Sequence, residues 1–307
     1  ALRGLGLTAL MRRVSLALPV SLVPLISLAP RVLRAQDATP SSTSATSQLP
    51  LHTTGLEHMG TVVPDVVAAA RFYGRLFNPE LYKEKDPPLR YYVPLGIGYL
   101  ALGSRANADH AFFDHFCALV ENYDAPAMAT QLQALGLPPA HYGIVADPDG
   151  IGFQLLGTPG GLAKTTEPAG HIVEGVALVK PKRLAKVVLR VSDLDKSLQF
   201  YRIFFGVEAH RSGEQATFQI ANTQLALRVA SEPEPPRPTP AQASSPQVEP
   251  PRAERPQVER IVVECEPFDR RAVSRALAGL GARVATDAGR PLRFIDPVGL
   301  GLELQSA

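Results

Sequence analysis

A surplus of charge of either sign is what this 307-residue chain lacks, with 31 Lys and Arg against 29 Asp and Glu. Even the +2 balance is local. The first 35 residues hold Arg3, Arg12, Arg13, Arg31 and Arg34 and no acid, and without them 26 basic residues face 29 acidic ones, a balance of −3. No basic footprint for nucleic acid remains. Cysteine is nearly absent. Cys117 and Cys265 are the only two, on strands of different halves that should lie too far apart for a disulfide; Cys117 reads as a small buried hydrophobe, with a soft thiolate ligand as the alternative. Also missing is an uninterrupted run of the roughly 20 apolar residues that a spanning helix needs.

What is present at the N-terminus reads as an export signal. Met11, Arg12 and Arg13 form a basic start, Val14 to Leu28 an apolar stretch interrupted by Pro19 and Pro24, and Ala35 and Ala38 offer small residues for cleavage. Residues 1–38 are therefore expected to be signal and leader, with 1–10 preceding the true start, and residues 39–52 a flexible tether. The mature chain is expected outside the cytoplasm, periplasmic or extracellular, with no stable membrane span after signal removal.

From residue 51 the chain repeats. Asp147-Pro148-Asp149-Gly150-Ile151-Gly152-Phe153-Gln154-Leu155 returns as Asp296-Pro297-Val298-Gly299-Leu300-Gly301-Leu302-Glu303-Leu304. Asp, Pro and Gly at the first, second and fourth positions fit a turn in which the Asp side chain bonds the backbone. In the strand that follows, Ile151, Phe153 and Leu155 share one face while Gly152 and Gln154 share the other. Four times, a short apolar strand leads to an acidic helix cap: His58 to Asp65, His115 to Asp124, Lys186 to Asp193 and Arg260 to Asp269. β-rich segments follow each helix, at 89–102, 140–156, 208–229 and 282–305. Two such units make a domain of ordinary size, giving one domain at 53–157 and another at 183–305, joined by a linker at 158–182. The Phe72–Tyr73 and Phe200–Tyr201 pairs fall at matching helix positions and read as core packing. Residues 231–256 hold nine prolines and read as an unfolded insert.

Four strand–helix–strands units, His58 seven residues before the cap Asp65, and the twice-repeated D-P-x-G-x-x-[FL]-[EQ]-L resemble the vicinal oxygen chelate superfamily of glyoxalases, extradiol dioxygenases and bleomycin-resistance proteins. The resemblance implies an α+β fold of two domains, each built from two βαβββ units that form an open, cupped mixed sheet around a cleft. It also implies metal ligands at His58 and His115 on the first strands of successive units and at Gln154 on the last strand, where the family usually has Glu. Such a set leaves open positions on a divalent Fe, Mn, Zn or Ni ion for a chelating small molecule. An amide oxygen in place of a carboxylate coordinates without charge. His110 and His141 are the candidates for a nearby general base.

In the second domain Lys186 and Arg260 replace the two imidazoles and only Glu303 keeps the ligand type. That trio reads as an internal salt-bridge cluster, and the domain is expected to bind no metal and to cover or support the first, with a separate ligand site as the alternative. Two functions are consistent with the residues. One is a metal-dependent dioxygenase, lyase or isomerase that chelates a small substrate through vicinal oxygens in the first domain. The other is a non-catalytic protein that sequesters a small molecule in the cleft.

Overall fold

A computed structural model of the chain describes residues 48–106, 108–162, 165–229, 255–285 and 291–307. The expected signal at 1–38, most of the tether at 39–52 and nearly all of the insert at 231–256 lie outside the described residues.

The period-two segments form two open eight-stranded mixed sheets. In spatial order the first consists of β6 (Ile144–Ala146), β7 (Gly152–Gly157), β5 (Phe112–Val120), β1 (Thr53–Val62), β4 (Tyr99–Gly103), β3 (Tyr91–Pro94), β2 (Glu80–Glu84) and β8 (Thr166–His171). The second runs β10 (His210–Ser212), β11 (Gln215–Ile220), β12 (Thr223–Val229), β9 (Pro181–Val191), β13 (Gln257–Cys265), β16 (Gly301–Ser306), β15 (Leu292–Ile295) and β14 (Arg283–Val284). In each sheet the two repeat units meet at an antiparallel seam, β1 with β5 and β9 with β13. Each unit's first strand also pairs in parallel with its last, β1 with β4, β5 with β7, β9 with β12 and β13 with β16. Two expectations shift. The first unit's strands begin at Glu80 rather than Leu89, and the segment expected only as a linker contributes β8, antiparallel to β2.

The four helices, α1 (Val66–Leu76), α2 (Ala125–Ala134), α3 (Leu194–Phe205) and α4 (Arg270–Gly279), start where the acids predict. Asp65, Asp124, Asp193 and Asp269 each accept backbone N–H bonds of 2.9–3.0 Å from the first turn, each worth about 0.5–2 kcal/mol. After α3 the chain stops at Gly206 in the left-handed region, φ 62°, which suits a residue without Cβ.

The repeated turn ties the halves together. Asp147 Oδ1 accepts the amides of Asp149 and Ile151 at 2.9 and 2.8 Å, and Asp296 Oδ1 accepts those of Val298, Gly299 and Leu300 at 3.0, 2.7 and 2.7 Å. The other oxygen reaches across. Tyr201 on α3 donates its hydroxyl to Asp147 Oδ2 at 2.9 Å, and Tyr73 on α1 donates to Asp296 Oδ2 at 2.6 Å. Both phenols are fully buried, and burial followed by the neighbouring carboxylate pushes their pKa values well up. These tyrosines pack edge-on against Phe72 and Phe200 as expected, and in addition they form two crossed latches. One continuous apolar core runs through both sheets, from Leu56, Met59 and Phe116 to Val187, Ile261 and Leu302.

Candidate metal centre

A regular strand would put Glu57 and His58 on opposite faces. The pairing of β1 with β5 prevents this: Leu56 is opposite Ala118 and Met59 opposite Phe116, so two residues of β1 face the single Cys117. Leu56 and Met59 both point into the core, and the β-bulge between them leaves both Glu57 and His58 for the concave face. A second irregularity on β5 sets Phe113 opposite Thr61 and His115 opposite Gly60, which makes Asp114 the extra residue beside His115. Gly60 makes room for that imidazole, because a Cβ there would lie 2.1 Å from His115 Cε1.

The three residues expected from sequence to act as ligands converge in this cup. His58 Nε2 lies 3.0 Å from Gln154 Oε1, and the His58 and His115 rings stand edge to face with centroids 5.5 Å apart. Each imidazole has a carboxylate on its other nitrogen, Glu57 Oε2 at 3.0 Å from His58 Nδ1 and Asp114 Oδ2 at 2.9 Å from His115 Nδ1. A carboxylate only accepts, so each Nδ1 carries the proton, and in the neutral ring Nε2 then presents a lone pair. The Gln154 amide nitrogen is committed to the Tyr142 carbonyl at 2.8 Å, which turns its oxygen toward His58. Two acceptors, His58 Nε2 and Gln154 Oε1, thus face each other at 3.0 Å and call for a cation between them. Burial lowers the pKa of His58, against the opposing pull of Glu57, which disfavours a proton as that cation. The donor set therefore fits a divalent metal.

The surroundings hold the set in place. Tyr99, opposite His58 on β4, stacks on its ring at 4.5 Å. Gly161, from the segment after β7, donates its N–H to Glu57 Oε1 at 2.5 Å. Burial works to raise the Asp114 pKa, but its bond to His115 and the charges of His115, Arg105 and Arg90 prevail and hold the carboxyl low. Cys117 lies within ligand reach of Glu57 and His58, and burial and the Glu57 charge push its thiol pKa well up. Cys265 is likewise a free, buried thiol. Beside the cup, between β2, the β3–β4 turn and β8, a cleft of about 820 Å³ includes Glu57 and Tyr99 in its wall, along with Tyr82, Pro168 and His171.

The base candidate His110 stands apart from this set. His110 precedes β5, is half exposed and pairs with Asp109, and it does not line the cleft. His141 opens the short turn that supplies the Tyr142 carbonyl. Glu57 and Asp114 were not singled out from sequence, although each acid immediately precedes a candidate His, a signal that the alternation of strand faces conceals.

In the second sheet the same bulges recur, with Ala185 and Glu259 as the extra residues. Lys186, Arg260 and Glu303 occupy the places of His58, His115 and Gln154. Arg260 Nε does lie 3.4 Å from Glu303 Oε2, but the cluster is completed by Arg293, Glu259, Arg190 and Arg228 rather than by Lys186. Ala185 stands where the first sheet has Glu57, so Lys186 has no carboxylate at its side and makes no ion pair among the described residues.

Comparison with known proteins agrees with the architecture. A family described as "glyoxalase-like domain" matches residues 186–304, the half without the imidazoles. No curated protein sequence matches the chain. Among solved structures, the Mn(II)-bound glyoxalase from Novosphingobium aromaticivorans is similar at 15% identity and TM-score 0.57, over 83% of this chain and 82% of that one. A 2,3-dioxygenase from Pseudomonas sp. is similar at 13% identity and TM-score 0.56, over 84% and 93%, and a catechol 2,3-dioxygenase at 14% and 0.55, over 83% and 88%. The chain has the fold of the vicinal oxygen chelate superfamily. Among its described residues no helix is long and apolar enough to cross a membrane.

Proposed function

We propose that the first cup is the centre of a metal-dependent enzyme of the glyoxalase and dioxygenase type, with His58, His115 and Gln154 as the ligands of a divalent Fe, Mn, Zn or Ni ion. The observation that carries this reading is the pair of opposed acceptors, His58 Nε2 and Gln154 Oε1, 3.0 Å apart in a buried site. When bound, the ion would supply Lewis acidity toward the vicinal oxygens of a small substrate.

The chain's own residues do the rest. Glu57 and Asp114 fix both imidazoles in the tautomer that presents Nε2 and return to the site the negative charge that Gln154 lacks. The Tyr142 carbonyl fixes the amide of Gln154, and Tyr99 keeps the His58 plane. The neighbouring cleft, whose volume is in the range of small-ligand sites, offers aromatic and aliphatic walls to the body of the substrate.

A second reading, sequestration without chemistry, draws on a different observation: the cleft wall includes Glu57 and Tyr99 but neither imidazole. Metal content separates the two. Protein purified without chelators should carry close to one transition metal per chain. His58→Ala and His115→Ala should each lose it, and Lys186→Ala should keep it. Glu57→Gln should weaken the metal by about 10–100-fold, as loss of an outer carboxylate does. Gln154→Glu should tighten it by adding a charged oxygen. A metal-free wild type after growth in metal-replete medium, together with a Gln154→Glu variant that recruits no ion, would replace the enzyme with the sequestering protein.

A further inference from the structure

The second cup keeps the bulges of the first and reverses its chemistry. Val188 and Arg260 are cross-strand partners, as are Lys186 and Val262, and the bulges at Ala185 and Glu259 bring the charged side chains together. Arg190 Nη2 (3.1 Å) and Arg228 Nε both contact Glu259 Oε2, and Arg260 Nη1 contacts Glu259 Oε1. Arg293 Nε donates to Glu303 Oε2 at 2.7 Å. Among the described residues, four guanidiniums against two carboxylates leave a surplus of two positive charges (4 − 2), and Lys186 on the same strand as Arg190 raises it to three.

Stability alone does not call for this arrangement, since a charge withdrawn from water is costly unless it is paired. Each guanidinium offers five N–H donors, and each engages a carboxylate hydrogen bond through a single nitrogen. Among the described residues, two donor atoms of the cup are buried without a hydrogen-bond partner, Arg190 Nη1 and Arg260 Nε, the latter 3.4 Å from Glu303 Oε2. The side chains are also graded in depth. Arg190 and Arg260 are 11% and 23% exposed, and Arg228 and Arg293 are 34% and 38% exposed, so two deeper guanidiniums accompany two that reach further into solvent. Planar forks with free edges are the side chains that grip oxyanions bidentately.

We propose that the second cup is a binding site for a small oxyanion of carboxylate or phosphate type, held by Arg190, Arg260 and Arg293 with Arg228 and Lys186 completing the field. It occupies the place in the second sheet that the metal centre occupies in the first, and it does not depend on a metal being bound there.

Calorimetric titration of the full chain with inorganic phosphate, and separately with succinate, against a chloride blank of equal ionic strength, tests this. Saturable one-to-one binding of at least one anion is expected, weakened at least tenfold in Arg293→Gln. Arg190→Gln leaves Glu259 short of a partner, so Arg190→Lys is the companion variant; it keeps the charge, loses the fork and should also bind at least tenfold more weakly. Arg202→Gln, which removes an exposed Arg paired with Glu208 on α3, should bind as the wild type does. Tighter phosphate would identify a tetrahedral ligand and tighter succinate a carboxylate. No heat above the chloride blank with either anion, or equal affinity in wild type and Arg293→Gln, would overturn the proposal.

Discussion

Replacing Tyr73 by Phe removes one hydroxyl and leaves the ring in place. The phenol donates at 2.6 Å to Asp296 Oδ2, both groups are buried, and the two residues lie 223 positions apart in sequence. Asp296 Oδ1 keeps its three backbone donors, so the turn itself should survive and the deficit should report the latch alone. A hydrogen bond to a charged group is worth about 1.5–3 kcal/mol, and that is the expected loss at neutral pH. Acid should shrink it. Burial raises the Asp296 pKa above 3.8, with the Tyr73 bond pulling the other way. A raised folded-state pKa means that the folded protein is favoured below the unfolded value and loses that advantage as pH rises through the folded value. Tyr73→Phe raises it further, so the deficit should be full at neutral pH and fall as the carboxyl is protonated. Tyr201→Phe should repeat the result through Asp147, and the double variant should sum the two to within about 0.5 kcal/mol if the latches are independent. Urea unfolding of the three variants at both pH values is the assay. A Tyr73→Phe protein within about 0.5 kcal/mol of wild type at neutral pH, or a deficit that persists unchanged in acid, would refute the reasoning.

Gly60→Ala places a Cβ where the His115 ring lies, and the ring must move away. Any metal held by the proposed site should be lost, and stability should fall by about 1–3 kcal/mol, which metal analysis beside circular dichroism would show; full metal content in a folded variant would contradict the site. Burial tends to raise the Glu259 pKa, but Arg228, Arg260 and Arg190 hold it below 4.5. Its stabilisation is therefore present above 4.5 and lost as pH falls through the lowered folded value. Glu259→Gln should cost about 3–5 kcal/mol at neutral pH by leaving Arg partners uncompensated, and it should lose less than wild type on acidification to about pH 3. Parallel unfolding curves for the two proteins across that range would count against the network.

The features legible in the sequence are those with local causes. Each helix start follows from an acid bonding the next few amides, and the turn at Asp147 from the geometry of Asp, Pro and Gly. Placement of Gln154 beside His58 follows from strand parity and the resemblance together. Four features escaped because their causes are not local. The Tyr73 and Tyr201 latches join residues whose spacing carries no periodic signal. The bulges break the alternation from which faces are read, so Glu57 and Asp114 were assigned no place in the cup. Lys186 looked like a member of the salt-bridge cluster because its column of the repeat was read without its neighbour, and Ala185 leaves it no acid to meet. The strand β8 has little apolar pattern, with Gly170 and Pro168 inside it, and forms because the edge of β2 is open to pairing.

The paired bulges make the cup a backbone mounting independent of what is mounted. In the first sheet they hold Glu-His and Asp-His, and in the second Ala-Lys and Glu-Arg, without a change in which strands pair or in which residues face the core. An extra residue in a strand costs a ladder bond wherever it occurs, and that cost is the same whether the side chains above it suit a cation or an anion. Chemistry in such a chain can change sign from one half to the other by replacing pairs of side chains, while the sheet beneath keeps its register. The half without either imidazole is the one that matches a glyoxalase-like family, over 186–304.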